Sequence, residues 1–486
     1  MRLNEISPFL FAIPSEKNIG VSSAMLPILV VTGTAVYILG SQSKGFPYFW
    51  VMTILIVLHG ALATRVASLN LMFLFRYFLL WIIFFSTSLI WALYNGGVKV
   101  APFGPTFQDT ENTQVLVYAG FLSLTGTLSG WVMAFRRGKR RIVREYVTQP
   151  DEKRLLRIGG VSLAGLFSLL YLYVSGGVVR SGAVYVQKSV DTGVTFGVFN
   201  IFHFMGIALL VLASSGQAKD LQKYYWFAIG TLAVGMLAGS RADYLPQALL
   251  LLLFLVANTT ANHNLKRWWS RLRTIIAPAL GAVILAWFLG SLIAIWRTNA
   301  DIGLAIDEML TGERRGLIIE MRAHSMLNME TANMAIGTLY AAIVNVDTGI
   351  TGLLWGRSYL NWLLIAPPGF LGLPRPLGLE WDTFIGDQRM SQGGIFEVAE
   401  AYWNFGLPGC FIVSFIISYL FGLALSKGLA GANYFFLTWY IVMGMMSLRA
   451  VWYQSFAYFR IFTIMALVYL MGLYFAKWFV SNRSVR

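Results

Sequence analysis

The feature that most constrains this chain is the length of its apolar runs. A helix needs about 20 predominantly apolar residues to cross the hydrocarbon layer of a bilayer. Between breaks rich in charge, Gly or Pro, the sequence offers twelve such candidates: 24–40, 47–64, 69–94, 114–135, 158–178, 196–215, 225–238, 244–258, 275–296, 407–426, 431–447 and 459–477. The 225–238 and 244–258 runs are short, and Gly239-Ser240-Arg241-Ala242-Asp243 separates them. In lipid every backbone polar group must find an internal partner, so runs of this kind dictate helices. The expected fold is all-α, a single polytopic membrane domain over residues 1–486 with about 12 transmembrane helices. Composition agrees. The chain is 57% hydrophobic and only 12% charged, against about 25% charged in soluble domains. That excludes a soluble enzyme, a disordered protein and a secreted disulfide scaffold. Cys410 stands alone, so there is no intrachain disulfide and no cysteine-based metal site. The segment before the first run carries charges and is broken by Pro8 and Pro14, so that run reads as a retained span.

The net charge of +15 would suggest nucleic acid on a soluble chain. On a membrane chain it reports orientation, because Lys and Arg gather on the cytoplasmic side. The segment from Arg136 to Arg157 holds nine Lys and Arg and is assigned to the cytoplasm. Alternation of the spans then gives the cytoplasmic segments 22 basic and 6 acidic residues, a net of +16, and the outer segments a net of −2. Arg76, inside the third span, supplies the remaining +1. Both termini are expected in the cytoplasm, and no nucleic-acid partner is expected. Arg76 lies near the cytoplasmic end of its span, so snorkelling to the interface is the expected role.

The loops narrow the chemistry. The longest cytoplasmic loop is only 22 residues and the chain has no Walker-type Gly-rich motif. No nucleotide-binding domain fits, so any substrate must arrive already activated, or an ion gradient must drive the process. On the outer side, Arg297 to Asn404 forms a segment of 108 residues. Loops beyond about 12–15 residues are usually functional or disordered, and the Trp, Leu, Gly and Pro content argues against disorder. Residues 297–404 are therefore expected to form a helical extracytoplasmic cap and the active region. Met334–Val346 and Tyr359–Leu373 within it read as interfacial or re-entrant helices. If both crossed, the span count would be fourteen.

The sharpest local signal runs from Ser391 to Gly409. Glu397 and Glu400 are three apart and share a helix face. Tyr402 and Asn404 add hydrogen-bonding groups, and Gly406 and Pro408 mark a break at the membrane surface. The two carboxylates could form a solvated face, but Ile395, Phe396, Val398, Ala399 and Trp403 around them are apolar. Carboxylates in such company are costly unless paired or used. Gly239-Ser240-Arg241-Ala242-Asp243-Tyr244 gives a second signal. It is either a turn capped by Arg241 and Asp243 or a guanidinium whose planar fork suits a diphosphate. Arg297 follows Trp296 at a span end and also suits interfacial anchoring; Arg314, Arg315 and Arg322 also suit surface ion pairs with Glu313 and Glu320. Arg449 and Arg460 flank the last outer loop. Of the four histidines, His59 and His203 read as hydrogen-bonded packing residues, and His263 falls in a cytoplasmic loop. His324 falls in the outer segment, as a general base or a plain surface residue.

With Gly239-Ser240-Arg241 at the outer end of a span, an Arg-rich outer loop, and Glu400-Ala-Tyr402-Trp-Asn404-Phe405-Gly406-Leu-Pro-Gly409, the chain resembles the O-antigen polymerases of the Wzy type. The motifs cover two short stretches, and the topology covers the whole chain. The resemblance implies a metal-independent glycosyltransferase of the lipid-donor membrane class, without a cofactor, in the bacterial inner membrane. Donor and acceptor would both be undecaprenyl-diphosphate-linked glycans, and a polysaccharide co-polymerase would regulate chain length. Arg241, Arg297, Arg314 and Arg315 would hold the diphosphate; Glu400, Glu397 and His324 would act on the acceptor hydroxyl; Tyr402, Asn404, Arg322 and Arg449 would line the substrate. The first outer loop, Ser41–Phe46, has no carboxylate, which weakens a metal-dependent reading. An O-antigen ligase shares the large outer loop and an outer histidine, and the Glu400–Gly409 segment tilts the reading to a polymerase. A flippase or transporter fits the span count, but a two-fold transporter would divide at a long loop after the sixth span. Here only about Ser214–Tyr224 connects there.

Overall fold

The computed structural model describes residues 14–43, 46–67, 70–96, 110–138, 150–175, 196–214, 218–237, 241–261, 330–365, 395–431, 433–453 and 456–483. Among them every regular element is a helix. In chain order these are α1 (Glu16–Gln42), α2 (Tyr48–Val66), α3 (Leu71–Asn95), α4 (Thr110–Gly138), α5 (Pro150–Ser175), α6 (Phe196–Ala213), α7 (Ala218–Leu237), α8 (Arg241–Ala261), α9 (Glu330–Asp347), α10 (Arg357–Ile365), α11 (Glu397–Gly431), α12 (Tyr434–Tyr453) and α13 (Phe456–Arg483). All the expected spans fall on these helices except 275–296, which lies outside the described residues. Six are long and apolar enough to cross a membrane: Lys17–Gln42, Tyr48–Val66, Leu71–Asn95, Thr110–Arg136, Glu152–Tyr173 and Glu397–Ala430. Large apolar side chains also face outward, including Val31, Ile28, Leu169 and Tyr173, as lipid rather than water requires. The protein is a multi-pass membrane protein.

Short polar contacts show which helix ends meet. Asn18 Nδ2 on α1 donates to the Arg65 carbonyl at the end of α2, 2.8 Å away. Tyr434 at the start of α12 donates to Glu152 at the start of α5. The Arg157 guanidinium lies over the Tyr224 ring near the start of α7, and Lys427 lies over Phe436. One end of the bundle, the basic end, thus gathers Lys17, Arg65, Arg157 and Lys427. These are cations that the positive-inside count places together.

Glycines set the closest approaches. A Cβ on Gly126 or Gly130 of α4 would collide with the Phe411 or Phe415 carbonyl of α11, and one on Gly206 of α6 would collide with Ala164 of α5. Small residues let helix backbones touch where no hydrophobic force drives association inside lipid. Buried polar side chains pair between helices: Ser123 with Ser414, His59 with Thr125, and His203 with Thr231. The two histidines are packing residues, as their sequence context predicts. Asn70 caps α3 by accepting from the Phe73 N–H and also accepts from the Tyr440 hydroxyl. That stitches α3 to α12.

Helix α11 is not one straight span. Gly406 has φ 65° and ψ −154°, a region essentially reserved for glycine. The Cys410 thiol lies 3.8 Å from the Val398 carbonyl, 12 residues back; in a continuous helix the two would be about 18 Å apart. A Cβ on Gly409 would collide with the Ala401 carbonyl. The element is therefore a hairpin: a short first arm, 397–405, folded back against a long second arm, 407–431. Pro408 sits in the first turn of the second arm, where its missing N–H leaves no bond unmade. The second arm runs parallel to α4 toward the basic end, so the first arm runs the other way and Glu397 begins at its deep end. Phe396, just before it, packs 5.8 Å from Phe84, near the middle of α3.

The expected cap is described only over 330–365 and 395–404. Its first apolar stretch is α9, buried from Ala335 to Ile343 against α4 and α11. Thr338 on α9 accepts from the Phe396 N–H at 3.3 Å. The stretch is thus packed inside the bundle and not laid over its surface. The second stretch begins with the nine-residue α10, and its remainder, 366–373, lies outside the described residues.

Candidate functional site

The first arm of α11 carries four of the residues singled out from the sequence, and all four are buried: Glu397, Glu400, Tyr402 and Asn404. Its outer end is held by the chain just before α10. The Leu354 N–H donates to the Trp403 carbonyl at 3.0 Å, and the Trp355 N–H to the Asn404 carbonyl at 2.9 Å. The last carbonyls of a helix have no partner within it, so this segment caps the arm. Trp355 adopts φ 51° and Gly356 φ 84° at this junction. A positive φ is a strained conformation for a bulky residue.

Glu400 sits at the meeting of the first arm and α10. Its Oε1 accepts from the Ser358 hydroxyl at 2.7 Å and from the Trp362 indole N–H. Asn404, one turn further on, donates through Nδ2 to Ser358 Oγ at 2.7 Å and to the Glu400 carbonyl at 2.8 Å. Ser358 and Trp362 are four apart on α10 and so face the same way. The result is a polar network of Glu400, Ser358, Trp362 and Asn404; Phe396, just before the arm, and Trp403, within it, belong to the buried apolar core. Arg357, next to Ser358, is exposed at the start of α10.

Glu397 is held differently. Arg76 Nη2 on α3 lies 2.7 Å from Glu397 Oε1, and both side chains are at most 2% exposed. The Tyr458 hydroxyl on α13 closes a ring, accepting from Arg76 Nε at 3.2 Å and donating to Glu397 Oε2 at 3.1 Å. This corrects the expectation for Arg76. Its side chain does not snorkel to the surface but turns inward to a buried carboxylate. Its nearness to a span end favoured snorkelling, but the intramembrane charge found a partner on another helix.

The structure thus puts Glu397, Glu400, Tyr402 and Asn404 on one buried arm, joins Glu400 and Asn404 to Ser358 and Trp362, and joins Glu397 to Arg76 and Tyr458. Of the four added residues only Arg76 stands out in the sequence, as a charge inside an apolar run. Ser358, Trp362 and Tyr458 are residue types common in any membrane helix, and nothing in their spacing marks them. Arg241 opens α8 and Arg449 lies within α12. Arg297, Arg314, Arg315, Arg322 and His324 lie outside the described residues. Among the described residues no group of three or more His, Cys, Asp or Glu side chains comes together as a metal site would need.

Comparison with known proteins gives a family. The model of the O-antigen polysaccharide polymerase Wzy family matches residues 23–312, more than half of the chain. The match takes in Arg76, Arg241 and Arg297 and stops short of α9 to α13. No curated protein and no solved structure matches the chain. A match over more than half of an apolar, helical chain shows the family: the chain belongs to the O-antigen polysaccharide polymerase Wzy family, which implies a polymerase activity of the glycosyltransferase type.

Proposed function

We propose that the protein transfers a growing glycan from undecaprenyl diphosphate to a new undecaprenyl-diphosphate-linked repeat unit at the periplasmic face of the inner membrane. The observation that carries the reading is the Glu400 network, a carboxylate fixed by Ser358 and Trp362 at the fold of α11. In the reaction the acceptor hydroxyl oxygen attacks the anomeric carbon of the donor. The bond from that carbon to the diphosphate oxygen breaks, and undecaprenyl diphosphate leaves with the electron pair. Glu400 takes the hydroxyl proton, as a positioned general base does. Negative charge builds on the diphosphate, and preorganised cations stabilise it. Arg241, Arg297, Arg314 and Arg315 are the proposed cations, with the exposed Arg357 beside Ser358 as a further one. His324 is a second proton acceptor in this scheme, and Tyr402, Arg322 and Arg449 contact the sugars. With arginines on the leaving group, the transfer runs without a metal.

The remaining parts of the reading concern topology and partners. Both termini lie in the cytoplasm, supported by the +16 and −2 division of charge. A polysaccharide co-polymerase sets the chain length. The test is a glycan ladder on a gel from cells carrying Glu400→Ala or Arg241→Ala. The expected result is collapse of the ladder to single repeats on the acceptor. Loss of the single repeats as well points to a ligase or flippase, and an intact ladder removes both residues from the chemistry.

A further inference from the structure

We propose that Arg76, Glu397 and Tyr458 form a positioning lock that sets the depth and rotation of the first arm of α11, and through it the aim of Glu400. The inference rests on the reading of Glu400 as the proton acceptor. The arm is short, and its two ends are held by different means. At the outer end the Gly406 turn and the Leu354 and Trp355 caps hold it. At the deep end the side-chain ties are the Glu397 contacts to Arg76 on α3 and Tyr458 on α13, alongside the Thr338 bond to the Phe396 backbone. Glu397 and Glu400 are less than one turn apart, so any rotation of the arm that frees Glu397 carries Glu400 with it.

Charge and energetics argue for positioning over plain stability. A buried ion pair is, on average, no more stabilising than well-packed apolar side chains of similar volume. What it adds is direction. The Arg76 guanidinium presents one N–H to each of two acceptors, Glu397 Oε1 and the Tyr458 hydroxyl. Glu397 uses both of its oxygens in return. These three bonds join α3, the first arm and α13 in one arrangement. The N-terminal place of Glu397 in the arm also suits its charge, because a helix dipole favours an anion there. The arm spans roughly 12 Å. A small tilt about the Gly406 end therefore moves Glu400 by an ångström or more, a displacement that costs about a hundredfold in rate.

The protein supplies its own reporter. Cys410 is the single cysteine of the chain, is buried, and lies against Val398 where the two arms meet. Its rate of labelling by a maleimide reads how tightly the arms are closed. The decisive variant is the double replacement Arg76→Met with Glu397→Met, which keeps volume and removes the charges. Purified in detergent and returned to vesicles with undecaprenyl-diphosphate-linked repeat units, it is expected to melt no lower than wild type. Its kcat is expected to fall at least about tenfold with KM nearly unchanged, while Cys410 labels several times faster. Wild-type kcat, or Cys410 as protected as in wild type, overturns the proposal. If the double variant does not accumulate, Tyr458→Phe removes only the bridging hydroxyl. Its kcat is then expected to drop a few-fold at constant KM, and an unchanged kcat overturns the lock. Glu400→Gln run alongside separates the two claims. If it keeps wild-type kcat, the role of Glu400 fails, and the Cys410 labelling still judges the lock.

Discussion

Replacing Gly406 by alanine isolates the backbone term in the α11 hairpin. At φ 65° and ψ −154° an L-residue pays about 1–3 kcal/mol of backbone strain. A Cβ at this position meets only Pro408 Cδ, at 3.9 Å, so there is room and no steric clash adds to the strain. The expected loss is therefore about 1–3 kcal/mol, a shift of roughly 5- to 140-fold in the closed-to-open ratio of the hairpin. Gly409→Ala provides the contrast: its backbone is helical, but its Cβ collides with the Ala401 carbonyl, so the arms must part. Gly230→Ala is the control. It lies in α7 with nothing within 4 Å of its Cβ, and alanine gains about 1 kcal/mol of helix propensity over glycine. The assay is the maleimide labelling rate of Cys410 with a thermal melt of the detergent-solubilised protein. Gly406→Ala and Gly409→Ala should both speed labelling and lower the melt, and Gly230→Ala should do neither. If Gly406→Ala labels and melts like wild type, α11 does not fold back at Gly406 and the two-arm description is wrong.

Three further outcomes follow from named contacts. Trp362→Phe keeps most of the ring volume and removes the indole N–H from Glu400; polymer synthesis in vesicles should fall while the protein accumulates normally. Asn404→Ala removes the bonds to Ser358 and to the Glu400 carbonyl and should cost about 1–3 kcal/mol, read as a lower melting temperature. Gly130→Leu forces α4 away from the Phe415 carbonyl of α11. Its membrane level, measured on an immunoblot, should fall well below that of Gly230→Leu.

Much of the bundle was legible because a bilayer imposes one strong rule on the sequence. The apolar run at 69–94 could only become a helix, and α3 is found at Leu71–Asn95. The rule fails where a helix enters the bundle without crossing it. Residues 397–405 are short and carry two carboxylates, so hydropathy could not tell a buried arm from the end of a surface loop. The glycine and proline at 406 and 408 did mark the break. They did not give its angle, which depends on φ and ψ at Gly406 and on the room left by Gly409. For the site, the i, i+3 spacing of Glu397 and Glu400 rightly placed both on one arm. It could not show that each is claimed by a different helix, because those contacts join residues 321 and 42 positions apart.

The charge count held a clue to the first of those contacts. Sorting the charges by side left Arg76 over as a single cation inside a span. Snorkelling accounts for such a residue when its side chain can reach water, but at 1% exposure Arg76 reaches none. A buried guanidinium needs a carboxylate, and one had been assigned to the outer loop. Moving Glu397 from the outer segments to Arg76 makes the pair neutral and changes the outer net from −2 to −1. The cytoplasmic +16 and the total of +15 are untouched, so the orientation argument stands unchanged. A cation left inside an apolar run by a positive-inside count is thus better read as half of a pair. The search for its partner belongs among the carboxylates that hydropathy places at the end of a loop, because those are the ones a re-entrant arm can carry inward.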